Sequence, residues 1–462
     1  MQDMALLKIF AVLTVFVGVI IAAFLFTGRL TATPVPAEYR LDHYWGKKVW
    51  KLGDALPKDN DAIKPFKINV DKSVLDDLIM RLKGVRLQDS FEGTNFEYGM
   101  RSDVLKEFID YWVNSYDWKK QETYLNSFPQ FKTQVEGLDI HFVHIKSSSA
   151  KAIPLMLVHG WPGSYIELLK VVPKLKDKFE LIIPSLPGYG FSESSSKSGL
   201  SSFHIGRIFV KLMNRLGHKK FMYHGGDWGA LIGRSLARTF PEKVIGFHTT
   251  MPTGPFSRTG IMRILLSEFG LSSLVFESPQ EAQRWNPIKN TLAFGVREGG
   301  YLLIQATKPD TVGVALNNDP AGLAAYILEK FSVATKKENV FKADGGLGET
   351  FTKDELLTNV MIYWINSCFT SSARLYKEGL ISLITDQAVV TVPTVALVAR
   401  TEVPTILTPT LMKDAYSDLL KYTQLDKYGH FLSFEAPDVV AKDIIEFAEI
   451  LRARENSNAK RK

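Results

Sequence analysis

Residues 220–229 read Lys220-Phe221-Met222-Tyr223-His224-Gly225-Gly226-Asp227-Trp228-Gly229. The apolar run 220–223 has the character of a buried strand, and residues 230–240 carry helical spacing. Between them the chain must turn sharply. Glycines two positions to either side of Asp227 permit that turn and expose the central side chain. An Asp in such a place can serve simply as the cap of the following helix. Against that reading stand the paired glycines, the strand in front and a second glycine-bearing loop at 159–164. Together they point to a reactive carboxylate. Such a group attacks an sp3 carbon bearing a leaving group and forms an alkyl ester, which a base-activated water must then hydrolyse.

Working outward, residues 132–135 and 138–145 alternate like half-buried strands. Residues 153–158, 179–183 and 391–398 are apolar runs of the kind found in buried parallel strands. Helical patterns at 165–175, 202–216 and 230–240 lie among them. Strand alternating with helix predicts a doubly wound, mostly parallel sheet. In that setting a strand–elbow–helix with glycines around its apex is the nucleophile position of the α/β-hydrolase fold, with Asp where esterases and lipases carry Ser. From 256 to 385 the strand pattern fades and helices dominate, as expected of a cap inserted over the site; 438–452 reads as a closing amphipathic helix. Ahead of the sheet, helices are expected at 71–82, with Asp71 as cap, and at 101–118. The expected organisation is an anchor at 1–30, an N-terminal arm at 31–130, the first part of the core at 131–255, the cap at 256–385 and the second part of the core at 386–462.

The strand 153–158 ends in His159-Gly160-Trp161-Pro162-Gly163-Ser164. In this fold that loop supplies an oxyanion donor. The backbone amides of Trp161 and Trp228 are assigned to the developing oxyanion, where one such donor is worth about 3 kcal/mol. His159 is read as ordering the loop by hydrogen bonding, and Ser164 with Glu167 as a capping box for the next helix. The general base should come late, after the nucleophile and an acid. Of the 9 histidines, His43, His141, His144, His204 and His218 fall in structural patterns. His224 adjoins the elbow, and His248 precedes the cap. His430, in Tyr428-Gly429-His430-Phe431, sits on a loop after the last strands. Glu402 follows the strand 391–398 and is the favoured orienting acid, with Asp414, Asp418 and Asp426 as rivals.

The formal charge of +7 over 462 residues, without basic runs interleaved with aromatics, argues against nucleic-acid binding. A single cysteine, Cys368, allows no intrachain disulfide and argues against a cysteine-based metal site. No metal and no organic cofactor is expected, since water is the second reactant. Residues 9–26 carry no charge and are almost wholly apolar. As a helix they would reach roughly 27 Å, close to the ~30 Å of a bilayer core, which favours a retained single-pass anchor over a signal peptide. Arg29, Arg40, Lys47, Lys48 and Lys51 follow the run, against Lys8 beside Asp3 before it, so the body is expected on the cytosolic side.

These features together resemble the microsomal epoxide hydrolase family over nearly the whole chain. The resemblance rests on the apolar N-terminus, the helical arm, the Trp161-Pro162 loop, Gly-Gly-Asp227-Trp-Gly, Glu402 nine residues after Pro393, and His430 near the end. It implies opening of an epoxide through an ester on Asp227, hydrolysed by water under His430 and Glu402. It also implies two cap tyrosines that hold the epoxide oxygen, matching Tyr301 in Gly299-Gly300-Tyr301-Leu302 and Tyr376 in Arg374-Leu375-Tyr376-Lys377. Without the resemblance, two of 16 tyrosines could not be singled out. Insect members act on juvenile hormone, and the chain is similar to that branch. The implied partners are a small lipophilic epoxide, water and, through the N-terminal helix, lipid of the endoplasmic reticulum membrane; a homo-oligomer is left open. A haloalkane dehalogenase would use the same Asp but needs halide-holding donors in place of phenols. An esterase requires Ser or Cys at 227. A non-catalytic lipid-binding protein on this scaffold should lack a member of the triad, and none is missing.

Overall fold

A computed structural model describes residues 35–49, 55–254, 257–385, 388–402 and 407–461. The expected anchor at 1–30 lies outside them. Among the described residues no helix is long and apolar enough to cross a membrane.

The strands are β1 (Lys64–Phe66), β2 (Gln130–Val135), β3 (Leu138–Ile145), β4 (Ile153–Val158), β5 (Phe179–Pro184), β6 (Phe221–Gly225), β7 (Val244–Thr249), β8 (Thr394–Val398) and β9 (Leu419–Gln424). They form one sheet in the order β1-β2-β3-β5-β4-β6-β7-β8-β9. The pairs at the β1 end, through β3 with β5, are antiparallel; from β5 to β9 every pair is parallel. β6 and β8 are buried along their whole length, as expected where helices cover both faces.

Three strands go beyond the sequence expectation. β7 contains Gly246 and His248, which break its apolar run. β9 is a half-buried edge strand with no continuous apolar stretch. β1 is three residues long with Pro65 at its centre, which an edge strand tolerates.

In the arm, α1 spans Lys72–Lys83, α2 Ser102–Asn114 and α3 Trp118–Leu125. Asp71 occupies the N-cap position of α1, but its side chain makes no capping hydrogen bond. The helix expected at 101–118 ends at Asn114. A separate helix then begins behind Asp117, which accepts from the Lys120 amide at 3.2 Å and so caps α3. In the core, α4 (Ser202–Arg215) and α5 (Asp227–Thr239) flank β6 in sequence. Between β7 and β8 the described chain is helical, including α6 (Gly300–Thr307), α7 (Pro309–Asn318), α8 (Pro320–Thr335), α9 (Lys353–Ile365) and α10 (Phe369–Thr385). α11 (Pro437–Arg461) closes the fold.

These helices meet the sheet at the carboxyl ends of its parallel strands. Trp161, just after β4, stacks on Tyr301 of α6 with ring centroids 5.1 Å apart and meets Tyr376 of α10 edge-on at 5.7 Å. Trp228, just after β6, meets Tyr376 edge-on at 4.9 Å. Ligands of open parallel sheets bind at this end of the strands.

Candidate active site

β6 runs into Gly226, and Asp227 is the first residue of α5, with a φ of +48°. A non-glycine residue seldom adopts that conformation, and here the surroundings impose it. A side chain at Gly225 would begin 2.4 Å from the Gly229 carbonyl carbon, and one at Gly229 would begin 2.1 Å from the Val158 oxygen. Glycine at both places is therefore a packing requirement of the elbow. Across the gap, a Cβ at Gly160 would fall 2.2 Å from Asp227 Oδ1. Because it has none, the loop comes close enough for the Trp161 amide to donate to Asp227 Oδ1 at 2.8 Å.

His430 Nε2 stands 3.4 Å from Asp227 Oδ2, and its Nδ1 stands 2.7 Å from Glu402 Oε1. Burial works against a charge on this ring, but the carboxylates of Glu402 and Asp227 on its two sides outweigh it and hold its pKa well above the usual histidine value. Asp414, a rival acid, instead accepts from Ser257 and Thr259. Asp418 pairs with Arg454. Glu402 is the carboxylate that reaches the histidine.

Tyr301 and Tyr376 meet edge-on with ring centroids 6.0 Å apart. Burial raises the pKa of both phenols, and the nearby charge of Asp227 raises them further. Both therefore stay protonated, as hydrogen-bond donors must.

Residues 63–168 match the family described as "Epoxide hydrolase N terminus", and residues 153–437 match "alpha/beta hydrolase fold". Epoxide hydrolase 1 of Oryctolagus cuniculus is 40% identical over 429 residues, covering 89% of this chain and 93% of that protein. Juvenile hormone epoxide hydrolase of Bombyx mori is 39% identical over 432 residues, covering 90% and 92%. The crystal structure of the silkworm enzyme superposes with a TM-score of 0.83 at 37% identity, covering 90% of this chain and 99% of that one. The chain belongs to the microsomal epoxide hydrolase family.

In this epoxide hydrolase the expected α/β-hydrolase fold is present, and Asp227, His430, Glu402, Tyr301, Tyr376 and the Trp161 amide come together around one point. The Trp228 amide lies in the first turn of α5, and among the described residues the backbone hydrogen bond to the Asp227 carboxylate comes from Trp161.

His159 orders its loop as expected. It accepts from the Leu186 amide at Nε2 (3.1 Å), while Nδ1 lies 3.0 Å from the Gly160 oxygen. Burial lowers its pKa to about 4, so it stays neutral. The capping box at Ser164 is corrected. The Ser164 hydroxyl donates to Asn359 Oδ1 at 2.9 Å, and the chain behind it forms a 3-10 turn over Tyr165–Val171 before a short α-helix at Val172–Leu175. A polar partner on the cap has drawn the hydroxyl away from the helix start. Asn359 also donates to the Pro162 oxygen at 2.7 Å, and Tyr363 to the Gly163 oxygen at 2.7 Å, so α9 fixes the oxyanion loop from above.

Sequence reasoning missed two acids. Glu435 accepts from the amides of Gly429 and Phe431 at 2.8 and 3.0 Å and so clamps the loop that carries His430. Glu167, freed from the capping role, turns inward. Burial pushes the pKa of its carboxyl to about 8, with His430 opposing and Asp227 adding to the rise. Its position four residues past Gly163 was the available signal, but the Ser-x-x-Glu spacing directed that signal to the helix cap.

Among the described residues, one group of side chains is spaced to hold a metal ion: His144, Glu180 and His218. It lies near the amino end of β5, opposite the catalytic end of the sheet. His144 Nε2 and Glu180 Oε1 are 2.6 Å apart, the distance of a direct hydrogen bond.

Proposed function

We propose that this epoxide hydrolase converts a lipophilic epoxide to its diol through a covalent ester on Asp227. The observation that carries the reading is the convergence on one carboxylate of an amide donor, a carboxylate-backed histidine and a pair of phenols. Asp227 attacks an epoxide carbon and the carbon–oxygen bond breaks. The released alkoxide is met by the phenols of Tyr301 and Tyr376, which stabilise charge that exists in the transition state and not in the substrate. The alkoxide takes a proton from this pair. Water then attacks Cγ of the ester and gives a proton to His430. The tetrahedral oxyanion rests on the Trp161 amide. Its collapse breaks the Cγ–O bond to the substrate, and the departing oxygen is protonated from His430. The second water proton restores the phenol pair, so one epoxide and one water become one diol.

The order of events follows from charge. While Asp227 is ionised, His430 holds its proton between two carboxylates. Alkylation removes one of those charges, so the ring releases its proton to solvent before it accepts one from water, and takes a proton back from solvent when hydrolysis restores the Asp227 carboxylate.

Juvenile hormone is the physiological epoxide we favour. Supporting this are the insect relatives named for it and the aromatic wall of Trp161, Trp228, Tyr301 and Tyr376 around the nucleophile. Turnover of juvenile hormone no faster than that of simple aryl epoxides would count against it. We also read residues 9–26 as a single-pass anchor in the endoplasmic reticulum membrane with the catalytic body in the cytosol. Removing residues 1–31 should release the chain on carbonate extraction.

The decisive experiment is Asp227→Asn. The amide preserves shape and removes the nucleophile, so no ester should form and diol production should fall below detection. Intact mass spectrometry after mixing with substrate reads the ester. Sustained diol formation by an Asn form verified not to have deamidated would sink the assignment.

A further inference from the structure

A small chamber lies beside Asp227, lined by Gly160, Gly163, Glu167, Asp227, Thr250 and His430 among others. The space open to the centre of a water molecule is about 20 Å³, slightly more than the ~10–15 Å³ one water requires. Glu167 forms one side of it. Its Oε2 lies 2.1 Å from where a Gly163 side chain would begin, so the carboxyl occupies room that only a glycine leaves. His430 Nε2 borders the same chamber from the Asp227 side.

We propose that Glu167 holds the hydrolytic water against the Asp227 ester. The proposal rests on the ester mechanism above and assigns a positioning residue to its second half. A water that attacks Cγ must direct a lone pair at the carbon while both its O–H bonds are engaged. His430 Nε2 accepts one of them and takes that proton. A Glu167 carboxyl oxygen accepts the other and keeps the water from rotating. With the water fixed by two acceptors, its attack loses less orientational freedom at the transition state. Burial favours the neutral carboxyl up to about pH 8, so Glu167 offers a carbonyl oxygen without setting a second full negative charge beside the carboxylate that hydrolysis regenerates.

The test is a single-turnover reaction of the full chain with styrene oxide, following appearance and decay of the ester by quenched-flow mass spectrometry. Glu167→Leu removes the acceptor. It should alkylate within about threefold of the parent but hydrolyse the ester roughly 30-fold more slowly, so that the ester accumulates. Glu167→Gln keeps an acceptor oxygen on the same stem and should hydrolyse within about fivefold of the parent. Glu167→Asp is the gentler change if the Leu form does not fold. It retracts the carboxyl by one methylene and should show the same selective slowing, smaller in size. Ester decay at the parental rate in the Leu or Asp form overturns the proposal. So does equal slowing of both steps, which would mean that Glu167 merely braces the Gly160–Trp161 loop. Absence of ester in the parent would instead overturn the Asp227 mechanism, so the two failures are distinct.

Discussion

His430 and His248 each rest on a buried carboxylate. His430 Nδ1 stands 2.7 Å from Glu402, and His248 Nε2 stands 3.0 Å from Asp443. Beyond that they diverge. His248 lies inside β7, and its other nitrogen meets His224 Nδ1 of β6 at 2.8 Å. His224 Nε2 in turn reaches Ser433 at 3.3 Å, and Asp443 is held by Lys421 at 2.6 Å. Every polar end of that chain is bonded to protein, and burial, followed by the neighbouring His248, keeps His224 neutral. His430 lies on a loop beyond the strands, and its second nitrogen is turned to Asp227 Oδ2. A carboxylate beside an imidazole is thus as much a way to tie strands to a helix as a catalytic device. What separates the two is the far side of the ring, whether it meets more protein or a reacting group.

The sharpest way to break this comparison is to remove each imidazole's contribution in turn. His430→Gln should leave alkylation intact and slow ester hydrolysis by about 10²–10⁴-fold, the usual worth of a general base. The intact mass should show protein plus substrate, and unmodified protein at saturating substrate would count against His430. Glu402→Gln leaves the ring in place and should slow the same step by roughly 10- to 100-fold.

The cap probes the other half of the reaction. Tyr301→Phe and Tyr376→Phe should each slow alkylation by about 10- to 1000-fold, equivalent to roughly 1.4–4 kcal/mol, with a smaller effect on binding. Alkylation at the parental rate in both variants would reduce the tyrosines to packing residues.

At the bottom of the scale stands the structural chain. Asp443→Asn should leave both chemical steps within about threefold of the parent while lowering stability by about 1–3 kcal/mol, because a buried imidazole loses its partner. Denaturant unfolding beside single-turnover rates separates the two effects. A large loss of turnover at unchanged stability would erase the distinction drawn between the chains.

The parts of the site that sequence made legible sit where strand grammar is strongest. Asp227 could be read because glycines at 225 and 229 bracket it between a strand and a helix. His430 and Glu402 followed from chain order after the last apolar strand. Tyr301 and Tyr376 carry no such grammar: they lie within helices, where a phenol that packs and a phenol that reacts look alike, and only the family resemblance selected them. Glu167 was misread because local spacing offered it a plausible role at a helix start. Tertiary contact with Asn359 removed that role from Ser164. β7 and β9 escaped for a related reason, since a glycine and a histidine in one, and half-burial in the other, mask the apolar pattern that marks a strand.

Trp161 joins two jobs that are usually separate. Its backbone amide serves the core by holding Asp227 Oδ1, while its ring is clasped by Tyr301 and Tyr376 from the cap. The amide that meets the carboxylate and the two cap phenols are therefore interlocked through one residue.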